Sequence, residues 1–419
     1  MAERRSPIYE IHARSAVRMV KGGGDYLFPL AYTSPAEEHL NVRTNAGMQD
    51  LTSMGEVDLK GPGAERLLSR LAVANLYDLQ PGQVRYTTFC QPDGRIVDDV
   101  TLYKFGDEHF MVVTSSAPRK KTFRWIAEHA AGTGAYVNDV SGAIALISVQ
   151  GPRSRDFLAS TVAEPAALLA LKFFRFAPNH IGDTELLVSR SGYTGELGYE
   201  LYVPAEEAAL LWETLERRGK EFGLLPYGTA AMQSLRIEKA FPLAGPDLDG
   251  EQTPFEVGLQ RWIDFSKREF LGRDALLAIQ ERGLSQRWVG LELAGTTPAS
   301  PNAPVYSLAD RQPYRETIHT GSEAGASFDA EQASRRPVGR VTSSAKGHSV
   351  GKLLALAYVN VSHSWPGAQL MVDVNGRPTP ATVVPTPFFD PAGNRLRGTV
   401  VRTLTESGSP ASSPQRYTP

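Results

Sequence analysis

Two stretches about 90 residues apart share one plan. In the first, the alternating run from Val57 to Lys60 stops at Gly61-Pro62 and gives way to AERLLSRLAV; in the second, ALISVQ stops at Gly151-Pro152 and gives way to RSRDFLAS. Period-two alternation reads as a strand. Proline is at home near a helix start, because the N–H it lacks has no intrahelical partner there. Leu67, Leu68 and Leu71 then give the first helix an apolar stripe. No third copy follows at a fixed period, so the pattern predicts two related α/β modules rather than a solenoid.

The segments around these copies fill out the modules. Between them lie a strand–turn–strand run from Tyr86 to Lys104 (YTTFCQPDGRIVDDVTLYK), the strand FMVVT, and the helix RKKTFRWIAEHAAG, with Phe123, Ile126, Ala127 and Ala130 on one face. After the second copy come TELLVSRS, the glycine-rich turn GYTGELG, the strand YELYV, and a helix from Ala205 to Phe222 with Ala208, Leu211, Leu215 and Phe222 aligned. Upstream, Ala13, Ala16, Val17 and Val20 carry helical spacing until Gly22, Gly23 and Gly24 break it, and a second helix is predicted from Glu37 to Ala46. The triple glycine follows no strand and precedes no Lys-Ser/Thr, so it reads as a turn and not a phosphate loop. Strands and helices alternate without the regular period of a doubly wound sheet, which places residues 1–280 in the α+β class.

From Gln286 the texture changes. VGLELAG, VGRVTSS, LLALAYVNV and QLMVDVNGRPTPATVV are strand-like with no helical period between them, predicting a C-terminal β-barrel or sandwich over residues 281–404. The polar stretch Thr296 to Arg336 reads as a long loop on that domain, and residues 405–419 as a disordered tail.

Composition narrows the chemistry. Lys plus Arg number 44 against 46 for Asp plus Glu, so bulk charge points to no nucleic acid and no anionic membrane. The single cysteine, Cys90, excludes a disulfide framework and any cysteine-based metal site within one chain. No stretch reaches about 18 uninterrupted apolar residues, and the N-terminus has charges where a signal peptide needs an apolar block, so a cytoplasmic protein is expected. The histidines never fall at i, i+4 around a glutamate, and no metal site is expected. The one G-x-S-x-G match, Gly347 to Gly351, lies between two strand-like runs and reads as a hairpin loop, not a nucleophile elbow.

Asp98 and Asp99 stand side by side on the second strand of the hairpin, where alternate residues take opposite faces and only one can point inward. An inward carboxylate needs a cation, a cluster of donors or a basic ligand. The pattern equally allows both to sit near solvent at the hairpin mouth. With Tyr103, Tyr193, Glu200 and Phe173-Phe174 they form a set of carboxylates and aromatics suited to a flat heterocycle, or, for the aromatics, to ordinary core.

GRIVDDVTLYK, LISVQGPRS, VSRSGYTGELGYELYV, SLRIEKA, TPFEVGL, FLGRDAL and GRVTSSAKGHSVGKLLALAYV resemble, in order and from about Ile8 to Phe389, segments of the aminomethyltransferase family, the T-protein of the glycine cleavage system and its relatives. The resemblance implies a three-domain cloverleaf around a tetrahydrofolate pocket, its third domain a β-barrel. It places the main catalytic carboxylate at Asp99, a folate-contacting tyrosine at Tyr103, and the pterin-holding pair at Tyr193 and Glu200, with Phe174 and Met54 lining the pocket. A carboxylate at Glu200 suits the pterin because its 2-amino group and N3–H form a two-donor edge.

The chain departs from the T-protein spelling at Ser53, where the family has histidine, and at Met232 and Gln233, where it has Arg-Asp. AMQSLRIEKAF with TPFEVGL is closer to the folate domains of dimethylglycine and sarcosine dehydrogenases, and LKFFRF with VSRSGY is similar to dimethylsulfoniopropionate demethylases. The expected function is therefore demethylase-type transfer of a one-carbon unit from a small N-, O- or S-methylated donor to N5 of tetrahydrofolate, with a separate dehydrogenase as one expected partner. The alternatives are a true T-protein acting on an aminomethylated lipoyl carrier protein, and a folate-binding accessory protein, whose cysteine-containing signature is missing here.

Overall fold

The computed structural model describes residues 3–308 and 336–398. Each predicted module is built on an antiparallel sheet. The first has five strands in the order Gln83–Cys90, Ile96–Gly106, His109–Thr114, Gly55–Lys60, Tyr136–Asp139. The second has six, Phe176–Ile181, Thr184–Ser189, Gly198–Pro204, Ile144–Gln150, Ala46–Asp50 and Leu224–Pro226, antiparallel but for the last pair.

The repeated Gly-Pro junctions sit where their spacing put them, with helices starting at Ala64 and Ser154. Glycine is required at both: φ is +107° at Gly61 and +128° at Gly151, and a Cβ would lie 2.5 Å from Gly134 O and 2.4 Å from Asn45 O respectively. The helices cover the outer sheet faces. Leu67, Leu68, Leu71 and Ile126 pack on Val57 and Leu59 in one module, and Phe157, Leu211 and Leu215 pack on Ile147 and Val149 in the other. The inner faces meet each other through Tyr103, Met111, Leu146, Phe176 and Tyr202. That shared inner layer carries the candidate site.

The first helix differs from its expected position. It spans Tyr9–Ser15, and Val17 is exposed ahead of the strand Arg18–Lys21. Its anchor is polar: His12 is fully buried, with Nε2 3.1 Å from Asp50 and Nδ1 2.8 Å from the Tyr32 hydroxyl. Apolar periodicity does not register such an anchor.

The C-terminal domain is a closed six-stranded barrel, in the order Gln286–Leu293, Lys352–Asn360, Gly339–Gly347, Pro304–Ser307, Gln369–Val374, Arg377–Val384. Pro304–Ser307, expected to be loop, pairs on both sides, because Val305 and Ser307 point into the barrel from a segment too short to show alternation. The rest of the expected insert, 309–335, and the expected disordered tail lie outside the described residues. Gly347–Gly351 is the hairpin loop between two barrel strands, as expected.

That loop is bolted to the first domain. Ser349 Oγ lies 2.8 Å from Nε2 of buried His39, and its N–H donates to Glu238 at 2.7 Å. Arg43 donates to Glu238 at 2.8 Å. Burial alone would raise the Glu238 carboxyl, but the His39 hydrogen bond and the Arg43 charge hold it down to about 2. A carboxyl depressed on folding stabilises above its unfolded pKa and loses that contribution as pH falls through the folded one. Unfolding free energy should therefore drop by up to about 3 kcal/mol between pH 5 and pH 2. Denaturant titrations across that range should show a visibly flatter profile for Glu238→Gln.

Candidate functional site

Asp98 is buried and Asp99 half-buried, on opposite faces that are both covered, so the expectation that only one of the two turns inward does not hold. The solvent-facing alternative does not occur. Asp98 points toward the helix Arg119–Ala130, where the Thr122 hydroxyl donates to it at 2.8 Å and the Ser115 N–H at 3.2 Å. Burial, and then the neighbouring Asp99, push its carboxyl well above the usual range. Asp99 points to the shared inner layer and accepts from the Tyr86 hydroxyl at 2.9 Å and the Ser115 hydroxyl at 3.0 Å. Burial raises it too, and those two donors pull it partly back. Ser115 thus holds both acids, one through its backbone and one through its side chain.

Tyr103 lies on the same strand face as Asp99 and is fully buried. Its hydroxyl donates to Ser189 Oγ at 3.1 Å and lies 2.8 Å from that of Tyr202. Glu200 pairs across the six-stranded sheet with Ser189 and faces the five-stranded sheet. Burial raises its carboxyl, and among the described residues its one side-chain donor is the Ser191 hydroxyl, with no cation paired to it. Tyr193 stacks on Phe241 with ring centroids 5.8 Å apart, donates to the Pro242 carbonyl at 2.5 Å, and lies within electrostatic reach of Asp99. Phe174 takes φ +58°, unusual for an aromatic residue, and stacks on Phe173 at 4.2 Å; with Met54 it packs against the inner layer around Tyr103. Of the residues singled out from sequence, Asp99 and Tyr103 stand on the five-stranded sheet and Glu200 on the six-stranded one, while Met54, Phe174 and Tyr193 lie in the loops beside the strands.

Three groups of this region were not singled out from the sequence. Tyr86 stands two residues from the position opposite Asp99, so counting register back from the Pro-Asp-Gly turn places it on the diagonal. Ser115 and the pair Arg236–Asp247, 2.5 Å apart and fully buried, carry no such signal. Arg236 also donates to Ser343 of the barrel at 2.6 Å, and the pair lies within electrostatic reach of Tyr193. At the positions that depart from the T-protein spelling, Ser53 Oγ lies 2.7 Å from Ser116 Oγ, Met232 packs beside Tyr227 and Leu235, and Gln233 accepts from Arg236 at 2.8 Å. Among the described residues no group of three or more His, Cys, Asp or Glu is placed to hold a metal, and no helix is long and apolar enough to cross a membrane.

Comparison with known proteins matches this architecture. Residues 8–267 match the GCVT N-terminal domain family, and residues 286–390 the glycine cleavage T-protein C-terminal barrel domain. Curated relatives include the aminomethyltransferase of Halothermothrix orenii, 33% identical over 92% of this chain and 100% of its own length. The aminomethyltransferase of Streptomyces coelicolor is 36% identical over 92% of this chain and 97% of its own. Among solved structures, the glycine cleavage system aminomethyltransferase T from Bartonella henselae superposes with a TM-score of 0.80 at 26% identity, covering 93% of this chain and 99% of that one. Two sheets sharing an inner layer, a closed barrel after them, and full-length matches of this kind make the chain a transferase of the aminomethyltransferase family, the glycine cleavage T-proteins and their relatives.

Proposed function

We propose that the protein moves a one-carbon unit to tetrahydrofolate, and that its donor is the aminomethyl group of a lipoyl carrier protein. The observation that carries the folate reading is the state of Glu200: a buried carboxylate with, among the described residues, one hydroxyl donor and no cation, facing the opposite sheet. One oxygen accepts from Ser191, and the other has no protein donor among the described residues and is open to a ligand's. The pterin's paired N–H groups fit it. Tyr193, Phe174 and Met54 would hold the ring system, and Asp99 would face the reacting nitrogens. When bound, tetrahydrofolate supplies N5 as the acceptor of the carbon. Asp99, kept oriented by Tyr86 and Ser115, would offset positive charge developing there or carry a proton. Alignment of donor and acceptor by the surrounding walls removes an entropic barrier of about 7–11 kcal/mol in favourable cases.

The carrier-bound donor is supported by the aminomethyltransferase names of relatives that span nearly the whole chain. This reverses the order expected from sequence, where demethylation stood first. A methyl donor remains the second reading because of Ser53, Met232 and Gln233, which stand where the T-protein pattern has histidine, arginine and aspartate. Mass spectrometry of the folate after anaerobic incubation with a donor panel separates the two. Aminomethylated carrier should yield 5,10-methylene-tetrahydrofolate together with ammonia and the freed lipoyl thiol. 5-Methyl-tetrahydrofolate from dimethylglycine, dimethylsulfoniopropionate or a methoxylated aromatic would establish the methyl donor instead, and unchanged folate that still binds would favour an accessory protein.

A further inference from the structure

Five side-chain oxygens form an unbroken file between the two sheets: Tyr202, Tyr103, Ser189, Ser191 and Glu200. The Tyr202 and Tyr103 hydroxyls are 2.8 Å apart, Tyr103 donates to Ser189 at 3.1 Å, Ser189 and Ser191 are 2.8 Å apart, and Ser191 donates to Glu200. All five residues are buried, and Tyr103 alone comes from the five-stranded sheet.

The protons in this file have one consistent order. Each hydroxyl owns a single proton. Ser191 gives its proton to the carboxylate, so it must accept from Ser189. Ser189 has then spent its own and accepts from Tyr103, which in turn accepts from Tyr202. A carboxylate at one end therefore sets the donor sense of every link, and aligned links polarise and strengthen one another. The result at Glu200 is a carboxylate fixed in orientation, with its remaining lone pairs available as acceptors only.

Tyr103, expected from the resemblance to contact folate directly, is enclosed in this structure. It has no exposed surface and both sides of its hydroxyl are committed. We infer that Tyr103 is a positioning residue, acting through Ser189 and Ser191 to hold Glu200 as an acceptor fork that selects a heterocycle presenting two adjacent N–H donors. This rests on the reading of Glu200 as the partner of the pterin edge.

The test compares binding of tetrahydrofolate and its 2-desamino analogue, which lacks one of those donors, to the full chain. Wild type should prefer tetrahydrofolate by about tenfold, one hydrogen bond to a charged group. Tyr103→Phe keeps the ring packed against Phe176 and removes only the link. Ser191→Ala removes the last donor directly. Both should shrink the preference by about threefold or more, Ser191→Ala the more strongly. If both variants weaken the two ligands equally and leave the preference as in wild type, the file is packing and the inference is overturned. Glu200→Gln separates this from failure of the underlying reading: it should abolish the preference, and if the preference survives in Glu200→Gln, the pterin-edge role of Glu200 itself falls, and with it the inference.

Discussion

Asp99→Asn should lower turnover by about 10²–10⁴-fold, the range for a positioned acid–base or charge-stabilising group, while leaving tetrahydrofolate affinity within about threefold. The substitution is nearly isosteric. The amide oxygen can accept from one of the hydroxyls of Tyr86 and Ser115 while the other turns to accept from the amide N–H, so the hairpin should stay in place. What disappears is the negative charge. Because burial raises the Asp99 carboxyl, its ionised form grows in at higher pH than that of an ordinary aspartate. Turnover in the wild type should therefore rise along an acid limb displaced upward in pH, and that limb should vanish in the variant. Steady-state rates against pH with saturating folate make the measurement; wild-type turnover in Asp99→Asn would remove the residue from catalysis.

Glu200→Ala should act on the other parameter, weakening tetrahydrofolate binding by about 10- to 100-fold with a much smaller change in turnover at saturation. That range corresponds to about 1.5–3 kcal/mol for hydrogen bonds to a charged group. Truncation also leaves the Ser191 hydroxyl without its acceptor, so the file of hydroxyls loses the group that sets its direction. Titration calorimetry with reduced folate reads the effect, and equal affinities would refute the assignment. The split matters because Asp99 and Glu200 come from different sheets: one variant changes rate with affinity kept, the other affinity with rate kept.

The parts legible in the sequence were those written locally. The two Gly-Pro junctions, the hairpin around Pro-Asp-Gly and the strand-rich texture after Gln286 each follow from period, turn chemistry or a glycine that nothing else can replace. Alternation put Asp98 and Asp99 on opposite faces and the family resemblance singled out Asp99, but the companions of Asp99 were not legible. Tyr86 needs a register count, and Ser115 is brought to Asp99 by the return of the next strand. Arg236 and Asp247 come together through the irregular turn after their helix and both bond Ser343 of the barrel, which no local pattern records. Pro304–Ser307 hid because a four-residue strand cannot display alternation, and the first helix was displaced because a histidine, not an apolar stripe, roots it.

The contacts that Arg236 and Glu238 make with Ser343 and Ser349 give the change in texture near residue 286 an unexpected meaning. A shift in composition usually marks a seam where a protein can be divided into autonomous pieces. Here a guanidinium and a carboxylate, both sealed from water, borrow part of their solvation from the other side of that seam. Cutting there would take a neutral hydroxyl or N–H partner from two buried charges of the first domain, at about 1–3 kcal/mol each, a cost no surface linker carries. The barrel thus behaves as the stopper of the vessel: a separate piece by its chemistry, yet one whose removal would ruin the contents.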